Sequence, residues 1–375
     1  MKEIIYVFLQ KYIIFLFIKD WIIFLISKKI NIKLDNEVII ITSIIPFYKM
    51  KQRPQQIALS LANLYKSKTI IYYEIDFWRI KSSFELIKNN LIISNSLFLI
   101  KNRLKSKQIK VLATWNIKIP ELLKYLKINY DEIIYDYYDN LDWYDQYLYK
   151  TFLNTLYMYD KILCSAKLLE NQLINKGYKN IIYLPNWVNS NNWIIENSDK
   201  LIEIKNKYFN DNKKIVWFYW WIEHWLDYDL IKYIVKNNKN INFVFIWPDN
   251  WNFLKNNWLL NYSNFKYLWY MNFENLKYYS YFFDIAIIPF KINEITNAVS
   301  PVKFFEYLIQ WKPVITTWFK EILFHKEYCF IWENYKDFNW KIQLAIEKST
   351  NLDYKNKIIN YSKNFEWDNL VKNIF

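Results

Sequence analysis

Glycine is all but missing. A 375-residue chain carries one, Gly177, where usage of about 7% would supply roughly 26. A large folded chain needs residues that accept positive φ without steric cost, so other residues must fill those positions here. Cysteine is nearly absent too. Cys164 and Cys329 form no CxxC pair and lie near no histidine cluster, which excludes a disulfide framework and a structural zinc and fits a reducing cytosol. There is no G-x-S-x-G, no HExxH and no GxxxxGK[ST], even with glycine substituted where it is missed. Serine-hydrolase, zinc-protease and P-loop chemistries therefore have no support. No compact Lys/Arg block interleaved with aromatics marks a nucleic-acid stripe, and nucleic acid is not an expected partner.

Tryptophan is in excess, with 19 residues. Trp247 ends the apolar run FVFIW and precedes Pro248-Asp249-Asn250, a turn. Trp311 follows a helical run and precedes a strand, where a helix C-cap wants glycine. Trp220 and Trp221 sit side by side after the strand-like KKIVWFY. No ordinary core asks for indoles at so many element ends. The expectation is that the source reads UGA as glycine, as some bacterial lineages do, and that this translation renders it as tryptophan; an authentically Trp-rich protein is the alternative. Trp225 and Trp367 have contexts (HWLD, FEWDN) that suit genuine tryptophan, and Trp143 and Trp193 fit either reading.

Hydrophobic residues make up 53% of the chain, enough for two substantial cores, and 375 residues suit two domains at ~100–200 each. Fifty Lys+Arg against 36 Asp+Glu give a formal charge of +14. A basic surface suits anionic lipid or a phosphorylated substrate. Codon drift in an AT-rich genome, which also favours Lys, Asn, Ile and Tyr, explains the same balance. Residues 4–27 are apolar but interrupted by Lys11, Lys19 and Asp20. A spanning helix wants ~20 residues with few or no charges, so this stretch reads as a helix lying in the membrane interface. A helix packed on the domain is the alternative.

From residue 35 strands and helices alternate. The runs 37–45, 68–75, 110–115, 132–139 and 160–166 read as strands, with helices over 55–66 and before 160. The stretch 174–189 reads as a connection. The grammar restarts with strands at 213–219, 242–247, 264–271, 284–290 and 312–317, and helices at 227–237, 273–281 and 302–310. Such alternation implies α/β layering with parallel sheets, which bind ligands at the carboxyl ends of their strands.

With glycine in place of the suspect tryptophans, the chain reads PNGVN at 185–189, IVGFYGGIEHWLDYDLI at 215–231, FIGPDN at 245–250, YLGY at 267–270 and AVSPVKFFEYLIQGKPVITT at 298–317. In this order the motifs resemble the C-terminal half of family 4 glycosyltransferases, closest to the branch with teichuronic-acid and capsule-building enzymes. The likeness runs over about 36–375 and is strongest over 184–320. It implies the GT-B fold, two Rossmann-like domains with parallel sheets facing a cleft. Residues 1–34 would be an N-terminal apolar segment, 35–196 an acceptor domain and 197–355 a donor domain, with 356–375 a helix returning to the first domain.

The resemblance assigns roles residue by residue. A nucleotide diphosphate needs backbone N–H groups close to its oxygens, so Trp220, Trp221, Ile222, Glu223 and His224 would form the donor loop; the plain alternative is a strand–helix turn, and a surface role for His224. Glu306 matches the second carboxylate of the family's Glu-x7-Glu signature, resembling the acceptor for the donor ribose hydroxyls. The first falls at Ala298, a departure that leaves Asn297 or Glu294 as stand-ins. Ser300 and Pro301 set the start of a helix that would offer donors to phosphate, and Lys303 would neutralise the leaving group. A solvated lysine and a helix-face salt bridge are the bland readings of Lys303 and Glu306. Arg53 would meet the donor diphosphate or an acceptor phosphate, or else merely start a helix. Asp139, beside Asp136 and Asp142, would touch the acceptor. The spacing of these aspartates does not suit a metal-binding Asp-x-Asp, and the resemblance implies transfer without metal or other cofactor. The implied activity is retaining transfer from a nucleotide-sugar donor to a glycan or lipid-linked cell-envelope acceptor, in the cytoplasm at the inner face of the plasma membrane. A GT-B nucleotide-sugar epimerase and a non-catalytic nucleotide-sugar-binding or membrane scaffold are the rivals.

Overall fold

The computed structural model describes residues 18, 21–22, 33–48, 52–75, 84–88, 90–99, 101–105, 107–114, 118–138 and 146–375. The predicted interface helix, Trp143 and Asp139 lie outside this set, apart from residues 18, 21 and 22. Among the described residues no helix is long and apolar enough to cross a membrane.

The chain is α/β throughout and divides into two compact units, Met1–Pro185 with Trp367–Phe375, and Asn186–Glu366. The first holds an eight-stranded sheet in the order β3-β4-β2-β1-β5-β6-β7-β8. Its strands are β1 (Glu37–Ser43), β2 (Thr69–Glu74), β3 (Phe84–Lys88), β4 (Leu91–Ser94), β5 (Gln108–Thr114), β6 (Glu132–Tyr137), β7 (Lys161–Cys164) and β8 (Ile181–Tyr183). All neighbours pair in parallel except β3 with β4. β1, in EVIIITS, is apolar on both faces and buried after its first residue, the pattern of a strand covered on both sides.

The second unit carries six parallel strands in the order β11-β10-β9-β12-β13-β14: β9 (Lys214–Tyr219), β10 (Ile241–Ile246), β11 (Phe265–Leu268), β12 (Ile285–Ile288), β13 (Val314–Thr316) and β14 (Phe330–Ile331). β9 is flanked by β10 and β12, with Phe218 opposite Phe245 and Val216 opposite Ile285. The strand order therefore reverses between β9 and β12. Loops leaving these two carboxyl ends diverge and open a crevice.

Several sequence expectations need correction. The antiparallel pair of β3 and β4 is absent from the expected strands, because two such short strands carry little periodicity. The stretch 174–189 is no mere connection, since it contains β8. The chain divides at Pro185/Asn186 rather than after 196. Residues 187–193 are held by the second unit: the Trp187 and Phe365 rings lie 4.8 Å apart, Val188 N–H donates to the Phe365 carbonyl, and Trp193 packs edge-on to Phe273. The expected terminal helix 356–375 is two pieces. Helix Leu352–Lys363 stays in the second unit, and only Trp367–Phe375 joins the first.

Positive φ falls where the composition predicts trouble. Seven described non-glycine residues adopt it, and three are tryptophans: Trp247 at 126°, Trp258 at 61° and Trp311 at 65°. Asparagine tolerates this region, but a bulky side chain there is an outlier. Trp311 follows the helix Val302–Ile309 and its cap residue Gln310. Its N–H donates to the Leu308 carbonyl, while Lys312 N–H reaches back to Tyr307. That paired bonding is the Schellman motif, whose left-handed residue is usually glycine.

Tryptophan is also ill-suited to the interior. The indole Nε1 atoms of Trp187, Trp193, Trp217 and Trp332 are buried without a hydrogen-bond partner, whereas a buried indole N–H ordinarily finds one; Trp367, whose context suits tryptophan, shares this feature, so it does not by itself separate the two classes.

His325 sits in an aromatic nest of Phe304, Phe305 and Phe365, its Nδ1 2.6 Å from the Tyr361 hydroxyl. Burial pushes its pKa down to about 4. The unfolded chain, titrating near the usual value of about 6.5, binds the proton more readily. Stability is therefore full above pH 6.5 and falls as pH drops toward 4, by about 3 kcal/mol. Urea unfolding of His325→Phe against the parent should show this acid loss flattened; parallel curves would refute the assignment.

Candidate functional site

The crevice beside β9 in the second unit gathers most of the expected donor residues. The last residue of β9 is Tyr219, and Trp220–His224 leave the sheet directly after it. Apolar β9 fixes the start of this loop. Its far end is tied to the segment following β12, where Asp227 N–H donates to the Pro289 carbonyl, Lys291 N–H donates to Trp225, and Leu226 bridges Phe290. Asp227 then caps helix Tyr228–Asn237, its carboxylate accepting Leu230 N–H at 2.9 Å.

The second wall is the helix Val302–Ile309, preceded by Pro301, whose ring restricts the backbone at the helix entrance. Its apolar residues Phe304, Phe305 and Leu308 are fully buried in the core. Lys303 and Glu306 project from it three residues apart, so they meet as neighbours on one face. The Lys303 Nζ lies 2.7 Å from Glu306 Oε2, and each residue is 8% exposed. The helix-face salt bridge of the bland reading thus exists, but in a sheltered place. Tyr219 adds a third member, its hydroxyl donating to the same Oε2. Tyr219 N–H in turn donates to the Tyr307 hydroxyl at 3.1 Å, and Gln310 Nε2 donates to the Glu306 carbonyl.

Electrostatics follow from this burial. Desolvation lowers the Lys303 pKa against the opposing pull of Glu306. The Tyr219 phenol is pushed far up by burial and then by the Glu306 charge, so it remains a proton donor at any working pH. Lys303 Nζ also lies over two rings, 4.3 Å from the Tyr219 centroid and 4.2 Å from that of Trp220. The Trp220 indole therefore stands against the ammonium group.

The other expected residues have varied settings. Ile222 is fully buried and serves the core. Glu223 lies 3.7 Å from the exposed His224 ring. Ser300 Oγ accepts Asn186 N–H at 2.9 Å, fastening 185–189 to the start of the Lys303 helix. Asn297 Oδ1 accepts Lys320 N–H at 3.0 Å, which orders a loop. In the first unit, Arg53 is 5% exposed and gives its Nε and Nη2 to Asp136, with Nη1 donating to the Pro185 carbonyl. A phosphate would have to displace Asp136 to reach that fork. Among the described residues no three His, Cys, Asp or Glu side chains stand where they could share a metal ion.

Sequence reasoning missed Tyr219, Tyr307 and Gln310. The available signal was position: Tyr219 ends the strand nearest the reversal of strand order.

No family model and no curated protein sequence matches the chain. Solved structures do match. Anabaena Alr3699/HepE in complex with UDP covers 90% of this chain and 98% of its own, at 9% identity and a TM-score of 0.62. Sucrose-phosphate synthase from Thermosynechococcus elongatus covers 90% and 97%, at 9% identity and 0.66. A UDP-forming α,α-trehalose-phosphate synthase from Burkholderia vietnamiensis covers 91% and 98%, at 7% identity and 0.63. The fold is therefore GT-B, the fold of these nucleotide-sugar enzymes.

Proposed function

We propose that this chain is a family 4 glycosyltransferase that moves a sugar from a nucleotide-diphosphate sugar to a cell-envelope polysaccharide or lipid-linked acceptor. The observation that carries the reading is the buried Lys303–Glu306 pair beside the carboxyl end of β9, where the strand order reverses. A carboxylate offers two acceptor oxygens to the adjacent hydroxyls of a ribose. An ammonium held in low dielectric is well placed to stabilise a departing diphosphate without a metal. The UDP complex of HepE and its UDP-glucose complex support the choice of donor class. Family 4 analogy adds retention of anomeric configuration. The apolar, lysine-flanked segment 4–27 supports work at the inner membrane surface on a lipid-linked acceptor.

The reading includes the recoding of UGA. As written, Trp220 occupies the space against Lys303, and the strained φ of Trp247, Trp258 and Trp311 supports glycine in the natural chain. If the codons for Trp187, Trp220, Trp247 and Trp311 are UGG, recoding is wrong.

Transfer of radiolabelled sugar from a donor panel, UDP-glucose first, to membrane extract tests the activity. Lys303→Ala is expected to lower kcat by about 10²–10³ while leaving the folded protein able to bind nucleotide. Intact donor binding with no transfer by the unaltered protein would leave the scaffold reading, and isomerised donor the epimerase reading.

A further inference from the structure

We infer that Tyr219 is a positioning residue that turns one oxygen of Glu306 toward the donor. This rests on the donor-site reading of Glu306 but concerns a residue which that reading does not supply. Two donors converge on Oε2 of Glu306, the Lys303 ammonium from three residues upstream and the Tyr219 hydroxyl from 87 residues away. Oε1 takes no hydrogen bond from any described residue. A carboxylate pinned through one oxygen has its plane fixed, and its second oxygen is left for a ligand.

Tyr219 is itself rigid. Its ring meets Tyr307 edge-on at 5.4 Å, and its main-chain N–H is tied to the Tyr307 hydroxyl. The lysine cannot do this work alone, because a leaving diphosphate would draw its ammonium away from Glu306. The phenol carries no charge and gains nothing from moving with the anion, so it keeps the carboxylate oriented while Lys303 changes partner.

The test is calorimetric binding of UDP and GDP, each beside its 2′,3′-dideoxy analogue, to the unaltered protein, Tyr219→Phe and Glu306→Gln. Tyr219→Phe should bind the better ribonucleotide roughly tenfold more weakly, the loss of one charge-assisted hydrogen bond. It should bind the dideoxy analogue as the parent does. Equal weakening of both nucleotides would mean general damage and overturn the assignment, as would parent-like binding of both. If Glu306→Gln keeps full preference for the ribose hydroxyls, the donor-site reading of Glu306 fails. If Glu306→Gln loses that preference but Tyr219→Phe keeps it, only the role of Tyr219 fails. Binding of neither nucleotide by the unaltered protein would sink both.

Discussion

Replacing Arg53 with alanine is expected to destabilise the first unit by about 3–5 kcal/mol, the penalty for stranding one member of a buried ion pair. The Asp136 side chain has no solvent exposure and lies 2.7 Å from Arg53 Nη2. Removing the guanidinium would leave a carboxylate at the carboxyl end of β6 without its bidentate partner. The damage would extend further along the chain. Arg53 also holds the carbonyl of Pro185, the last residue of the first unit before the chain leaves it, and stands 5.7 Å from the ring centroid of Trp367, the first residue on its return. Arg53→Lys keeps the charge and loses the fork, so it should recover only part of the loss. Lys68→Ala serves as control. Its partner Glu37 is 46% exposed along the side chain, and such a pair is worth about 0–1 kcal/mol. Urea unfolding measures all three. A loss for Arg53→Ala no greater than that for Lys68→Ala would mean that water reaches Asp136 freely.

The same residues show what the sequence could and could not reveal. The layering of both units was legible because buried parallel strands carry runs such as VIII (38–41) and FVFI (243–246), apolar in every position. Lys303 and Glu306 were legible as neighbours because helical spacing alone brings them together. Arg53 was visible only as a basic residue in a loop; Asp136 lies 83 residues away, and no local pattern links them. A phosphate role was therefore the natural expectation, and the structure instead places the guanidinium in the interior. Tyr219 was hidden for the same reason, since its contact with Glu306 is made by the fold. Glycine positions were legible in an unusual way. On the recoding reading, a residue that cannot suit positive φ or a tight loop marks them by its misfit, as at Trp247 and Trp311.

The second large effect concerns that misfit. In the polypeptide as written, changing Trp220 and Trp221 together to glycine should strengthen nucleotide binding by roughly 30–100-fold. The Trp220 ring is partly buried and stacked under Lys303, and displacing such a ring from its packing costs about 2–3 kcal/mol. A ligand that need not displace it gains the same amount, at 1.4 kcal/mol for each factor of ten. Trp311→Gly separates backbone strain from occupancy of the site. The residue is 53% exposed, so little packing is lost, while a left-handed conformation costs an L-residue about 1–2 kcal/mol. The greater unfolded freedom of glycine offsets up to about 1 kcal/mol of that. A net gain in urea stability is therefore expected, small but opposite in sign to most substitutions. Trp367→Gly supplies the contrast. That residue is helical and 3% exposed, so losing its ring should cost about 3–5 kcal/mol. Tryptophans that belong to the chain and tryptophans that stand in for glycine would then respond with opposite signs. A loss of stability at Trp311 together with unimproved nucleotide binding at 220–221 would leave the indoles as native residues and the proposed donor site without room.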